Sequence, residues 1–205
     1  AVYPGRHHFG PELEFGHAMG DRFEEPVLLV KTAWGGKSLY KDFRPPSAGG
    51  AMGPYYKRMI AEYTEIIGSV GDHFPQLAAH RSVLAGMVWF QGWNDMYDEA
   101  AITGYSDNFA HLVGDVRKAL HAPKLPVVIG ETGNGKEALR VEQARAGKRK
   151  DIQPVAFAPT YAFHRPKEQS PNVGHGHHWF GNAESYLLIG RAMGEAMEKL
   201  LGPRR

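Results

Sequence analysis

Four short runs rich in apolar and β-branched residues, at 27–30, 83–90, 126–129 and 154–158, alternate with stretches of helical periodicity, and no other feature limits the fold as strongly. A run without polar alternation suits a strand covered on both faces, and strands separated by helices run parallel. Helical spacing is carried by Phe15, Ala18 and Met19 after Gly10-Pro11, and by Tyr56, Met59, Ile60, Tyr63, Ile66 and Ile67. It returns at Ile102, Tyr105, Phe109, Leu112, Val113, Val116 and Leu120. A last helix, capped by Asn182, places Tyr186, Ile189, Met193, Met197 and Leu200 inside. The expected class is α/β, with three α/β/α layers around a parallel sheet.

With 205 residues, 42% of them hydrophobic, 22% charged and a net charge of +2, the chain is expected to form one globular domain over 1–205. No repeat, linker or low-complexity segment divides it. The absence of cysteine excludes disulfides, a thiolate nucleophile, an iron–sulfur cluster and any cysteine zinc site, so a nucleophile must be Ser, Thr, His, Lys or a carboxylate. It does not fix a compartment. The basic stretch Gly147-Lys148-Arg149-Lys150 and the Pro203-Arg204-Arg205 tail read as solvated surface, so no nucleic-acid partner is expected. No run approaches the length of a membrane span and no signal-peptide pattern is found. A chain that starts Ala1-Val2 without methionine reads as a processed product or a piece of something longer.

In an open parallel sheet, ligands bind beyond the carboxyl ends of the strands, here 34–38, 91–96, 130–137 and 160–180. Ala33-Trp34-Gly35-Gly36-Lys37-Ser38 offers two glycines whose N–H groups can approach a phosphate or an oxyanion, or else only a tight turn. Trp89-Phe90-Gln91-Gly92-Trp93-Asn94-Asp95 sets an amide donor beside a close-approach glycine, which fits an oxyanion donor or an Asx turn. Gly130-Glu131-Thr132-Gly133-Asn134-Gly135-Lys136-Glu137 meets the spacing of a phosphate-binding loop but lacks its last hydroxyl, leaving a nucleotide binder as a minor alternative. Gly174-His175-Gly176-His177-His178 precedes the last helix as a zinc cluster, a general base or a solvated group of imidazoles. No metal or cofactor is adopted.

Taken in order, Phe9-Gly10-Pro11-Glu12-Leu13, Lys31-Thr32-Ala33-Trp34-Gly35-Gly36, Trp89 to Asp95, and His178-Trp179-Phe180-Gly181-Asn182 resemble the SGNH hydrolases. Within them the blocks are similar to the sialate O-acetylesterase-like branch, related to the acetylxylan esterases of carbohydrate esterase family six. The resemblance spans nearly the whole chain. It implies a flavodoxin-like sheet and removal of acetyl groups from sugar hydroxyls by a Ser nucleophile, a His base and an oxyanion hole. On this chain Gly36 matches the backbone donor, Asn94 the side-chain donor and His178 the base, with His175, Gly35 and Gln91 as orienting or accessory residues. An acetylated carbohydrate is the implied partner, an extracytoplasmic location is favoured, and oligomeric state is left open.

Two positions depart from the family pattern. Where the base is normally preceded by Asp at the third residue, this chain has His175. The nucleophile normally follows a first strand lying before the Gly-Pro-Glu block, and Ser38, Ser47, Ser69, Ser82, Ser106, Ser170 and Ser185 all lack that context. The first strand is therefore expected to be missing from this chain. A non-catalytic sugar-binding descendant is the other reading, with Trp34, Trp93 and Trp179 at loop ends as substrate-packing aromatics.

Overall fold

A computed structural model describes residues 9–132 and 135–203. In chain order the elements are α1 (Glu12–Arg22), α2 (Pro54–Gly68), α3 (Val70–His73), β1 (Met87–Trp89), α4 (Glu99–Thr103), α5 (Tyr105–Ala119), β2 (Val127–Gly130), α6 (Glu137–Ala146), β3 (Val155–Ala158) and α7 (Ala183–Leu201). The strands form a parallel three-stranded sheet in the order β1-β2-β3, with Met87 opposite Val127 and Val127 opposite Val155.

Successive strand side chains point to opposite faces, and this divides the core. Trp89, Val127, Ile129 and Val155 face α5, where Tyr105, Phe109, Leu112, Val113 and Val116 supply the buried stripe expected of that helix. Val128 and Ala158 face the other way, onto Met19 of α1 and Ile189, Met193 and Met197 of α7. The result is helix, sheet, helix. The outer pair packs closely: a Cβ on Gly190 would lie 2.3 Å from Pro11 O, and one on Gly194 2.7 Å from Ala18 Cβ.

Arg117 of α5 reaches under the sheet from the other side. Its guanidinium donates to Leu125 O (3.1 and 2.8 Å), Ile152 O (2.7 Å) and Pro154 O (3.1 Å), which satisfies carbonyls at the entrances to β2 and β3.

Three expectations need adjustment. The run 27–30 has strand chemistry but makes no ladder, and Val27, Leu28 and Leu29 are about two-fifths exposed, Leu28 at 43%. An apolar run becomes a strand only where a partner takes its N–H and C=O groups, and among the described residues the outer edge of β1 carries none. The run 83–90 pairs only from Met87, because the register begins opposite Val127, and Val83 is left exposed. The third periodic stretch is split at Gly104 into α4 and α5, with Asp98 Oδ1 accepting from Ala100 N and Ala101 N to start α4. Among the described residues no helix is long and apolar enough to cross a membrane.

Candidate functional site

All three strands point their carboxyl ends to one side, and the turn after β1 is fastened there to the Gly35-Gly36 turn. Asn94 Nδ2 donates to Gly36 O at 2.8 Å, and Gln91 Nε2 donates to Lys37 O at 2.8 Å. Beneath them Asp95, with no exposed surface, accepts from Leu39 N and Tyr40 N at 2.9 Å each and from Gln91 Nε2 at 2.7 Å. Burial pushes the Asp95 carboxyl above the ordinary carboxylate value, against the pull of these donors and with the Asp42 charge adding to the rise. Gly36 has φ +69°, a conformation glycine reaches without steric cost. Its N–H makes no hydrogen bond among the described residues, so it remains available as a donor.

The lower half of this turn is held by a buried polar network. Gln143 of α6 donates through Nε2 to Gln91 O (3.1 Å) and Thr132 Oγ1 (2.6 Å) and accepts Thr132 N at 2.9 Å. Tyr105 OH donates to Gln91 O and accepts from Trp89 Nε1 at 3.1 Å. Gly92 is small because it must be: a Cβ there would sit 2.5 Å from both Gln143 Nε2 and Thr132 Oγ1. Periodicity reading missed α6 because its inward residues are Leu139, Gln143 and Ala146, and a buried glutamine breaks the apolar stripe.

The histidine loop reaches the same turn. The His177 ring lies 5.7 Å from Trp93, 5.4 Å from His175 and 4.3 Å from His178. Backbone bonds Phe180 N→His175 O (3.0 Å), His178 N→His175 O (2.9 Å) and Asn172 N→Phe180 O (2.9 Å) fix the loop, and Tyr186 OH donates to His178 O at 2.9 Å. Trp179, Phe180 and Gly181 follow one another at φ +52°, +53° and +66°, which reverses the chain sharply into α7 at a steric cost for the two aromatic residues. His175 Nδ1 donates to Asn172 Oδ1, an orienting partner to which the Asn-x-x-His spacing is the sequence signal. No hydrogen bond joins His178 to Gly36 or Asn94 among the described residues.

Burial holds the His178 imidazole below its usual 6.5, and the like charge that His177 and His175 would carry lowers it further. His177 is lowered by burial and then by His175. Neutral rings at pH 7 are ready to accept a proton. The stability consequence has a definite sign. The unfolded chain takes up protons near 6.5 while the folded loop resists them, so stability is complete above that pH and lost as pH falls through the folded values. The thermal midpoint is expected to drop between pH 7 and 5, with a shallower drop in His178→Gln. A midpoint that rises on acidification through this window would place a carboxylate against the loop.

The three tryptophans of the sequence reading occupy different settings. Trp93 is half-buried at the site. Trp34 packs on Phe43 (6.0 Å) and Tyr55 (5.2 Å) with Arg58 4.6 Å above its ring, as a side wall of the larger core. Trp179 is 6% exposed and belongs to the core beneath α7.

Other sequence features are committed elsewhere. Ser38 Oγ accepts Lys41 N and donates to Asp42 Oδ2, both at 3.1 Å. Ser47 Oγ lies 2.8 Å from His111 Nδ1 on α5, a pair that spacing did not reveal. In the phosphate-loop match, Gly133 and Asn134 lie outside the described residues; Glu131 Oε2 accepts Thr160 N and Tyr161 N at 2.8 Å and Thr132 N is taken by Gln143. Arg149 in the basic stretch is paired with Asp107 and Asp151, while Arg204 and Arg205 of the tail lie outside the described residues. Among the described residues no group of three or more His, Cys, Asp or Glu side chains is placed to hold a metal ion.

No curated protein and no solved structure matches the chain. A family model described as "carbohydrate esterase, sialic acid-specific acetylesterase" matches residues 3–199. That match includes all four motif blocks, and the three-layer arrangement agrees with the SGNH-like α/β/α domain the blocks implied. The chain belongs to this family of carbohydrate esterases.

Proposed function

We propose that the chain carries the oxyanion-binding and proton-transfer groups of a carbohydrate O-acetylesterase. The observation that supports this best is the 2.8 Å bond from Asn94 Nδ2 to Gly36 O, which sets the two donors side by side. One Asn94 N–H is used in that bond, and the other, with the Gly36 N–H, faces an acetyl oxygen. A serine Oγ attacks the acetyl carbonyl while His178 takes its proton. Charge develops on the carbonyl oxygen between the two donors, then collapse expels the sugar alkoxide, which takes the proton from His178. Water attacks the acyl-serine by the same route and releases acetate. His175 and its Asn172 partner support the loop that carries the base, and Gly35 and Gln91 keep the donor turn in place.

The serine is delivered, in this reading, by a strand on the edge of β1 that is unpaired among the described residues. A parallel strand seated there ends on the side where Gly36 and Asn94 stand. A second reading, sugar binding without turnover, is favoured by one fact: Ser38, the serine nearest the donor turn, has its hydroxyl engaged by Asp42 and Lys41.

The product of the full gene is expected to release acetate from acetylated xylo-oligosaccharides and to react with a fluorophosphonate at a serine outside the 205 residues. The 205-residue chain alone should do neither. Labelling at Ser38, or at Ser47 beside His111, would move the chemistry. Saturable sugar binding with no acetate release from either protein would establish the second reading.

A further inference from the structure

We infer that Trp93 and Tyr97 form a stacking platform for a neutral pyranose ring of the substrate, with Tyr97 as a specificity-determining residue. The inference rests on the carbohydrate esterase reading for its ligand class, but not on turnover. Tyr97 ends the short turn Asp95–Tyr97 that follows Asn94, and it is 72% exposed, the largest exposure among the described large hydrophobic side chains.

Such exposure of an aromatic beside an oxyanion donor has no packing explanation. Yet the ring is fixed: Trp93 Nε1 donates to Tyr97 OH at 3.1 Å, one turn away. The His177 ring lies 5.7 Å from the indole, and the turn beneath is anchored by the buried Asp95 side chain. Two aromatic faces already held in place lose little freedom when a ligand lands on them. A pyranose offers an apolar C–H face for stacking, and the Tyr97 hydroxyl, having accepted from Trp93, keeps its own hydrogen for a ring hydroxyl.

Charge selects the class of sugar. Asp98 and Glu99 directly follow Tyr97, and Lys41, which reaches this turn, has its Nζ 3.4 Å from Asp98 Oδ2. His177, at the platform's edge, is held neutral at pH 7 by burial. A sugar carboxylate placed here would meet acidic side chains and a lysine already paired, whereas an uncharged ring meets no such penalty. The platform therefore suits neutral glycans over sialic acid, although the family model is described by the latter.

The test is direct binding to the 205-residue chain, read from the indole N–H resonance of Trp93 by NMR. Xylotetraose, cellotetraose and mannotetraose are titrated in parallel with N-acetylneuraminic acid. At least one neutral tetraose should shift the Trp93 signal saturably, and N-acetylneuraminic acid should not. Tyr97→Ala, an exposed change with an intact spectrum elsewhere, should weaken that binding about threefold to tenfold, and Tyr97→Phe, which keeps the ring but loses the hydroxyl, should fall between the two. Silence from all three neutral sugars, unchanged affinity in Tyr97→Ala, or preferential binding of N-acetylneuraminic acid overturns the inference. Intact binding here with no acetate release from the product of the full gene would instead defeat the esterase reading alone.

Discussion

Asp95→Ala is expected to lower the unfolding free energy by about 3 kcal/mol, the cost of leaving several buried donors without an acceptor. Leu39 N–H, Tyr40 N–H and Gln91 Nε2 all lose their partner, and Leu39 is fully buried, so water does not replace it. A smaller term opposes the loss. The carboxyl is raised by burial, so its stabilising effect is greatest below the unfolded value of 3.8 and declines as pH rises through the folded one. Removing the anion recovers that part, and three orphaned donors outweigh it. Asp95→Asn keeps one acceptor and should fall between the two proteins. Urea unfolding gives the number, and hydrogen exchange at Leu39 and Tyr40 locates it. An alanine variant within roughly 0.5 kcal/mol of the parent, the range of changes away from such networks, would show that the two turns hold together without this carboxylate.

In the acetate-releasing protein, Asn94→Ala is expected to reduce kcat by about 10²–10³ with KM little changed, the usual effect of deleting one oxyanion donor. The split between the constants carries the meaning, because a donor used only in the transition state leaves ground-state binding alone. Asn94→Asp places a negative charge where the oxyanion forms and should be at least as impaired. The substitution also removes the bond to Gly36 O, so the Gly36 turn of the variant needs checking by the exchange rates of Leu39 and Tyr40. An increase in KM at constant kcat would assign Asn94 to substrate binding and leave the oxyanion without its side-chain donor.

Much of the architecture could be read in advance because it is written in periodicity. The stripe Tyr105, Phe109, Leu112, Val113 and Val116 becomes the buried face of α5, and Ile189, Met193 and Met197 that of α7. The run 27–30 shows the limit of such reading. Its composition encodes a wish for burial, while strand formation depends on a neighbour that no local pattern can supply. At the site, the Gly35-Gly36 and Gly-x-Asn-Asp segments stood out through residue types that acyl chemistry needs. What joins them did not, since a carboxylate meeting backbone N–H groups 55 and 56 positions earlier leaves no local trace. Gln143 was hidden for the same reason: a polar residue doing interior work resembles a surface residue until the fold is known.

The clasp between α1 and α7 also sets the order in which the molecule can assemble. One face of the sheet is covered by elements early and late in the chain, with Arg22 Nη2 donating to Gly202 O at 2.9 Å across 180 positions. Val128 and Ala158 therefore lack the α7 part of their cover until that helix has left the ribosome, although the α5 face of the sheet is filled much earlier. Contacts so distant in sequence form slowly. The nascent chain carries a half-covered sheet through most of its synthesis, and the histidine loop, which leads directly into α7, is drawn onto the Trp93 turn only when that final helix docks.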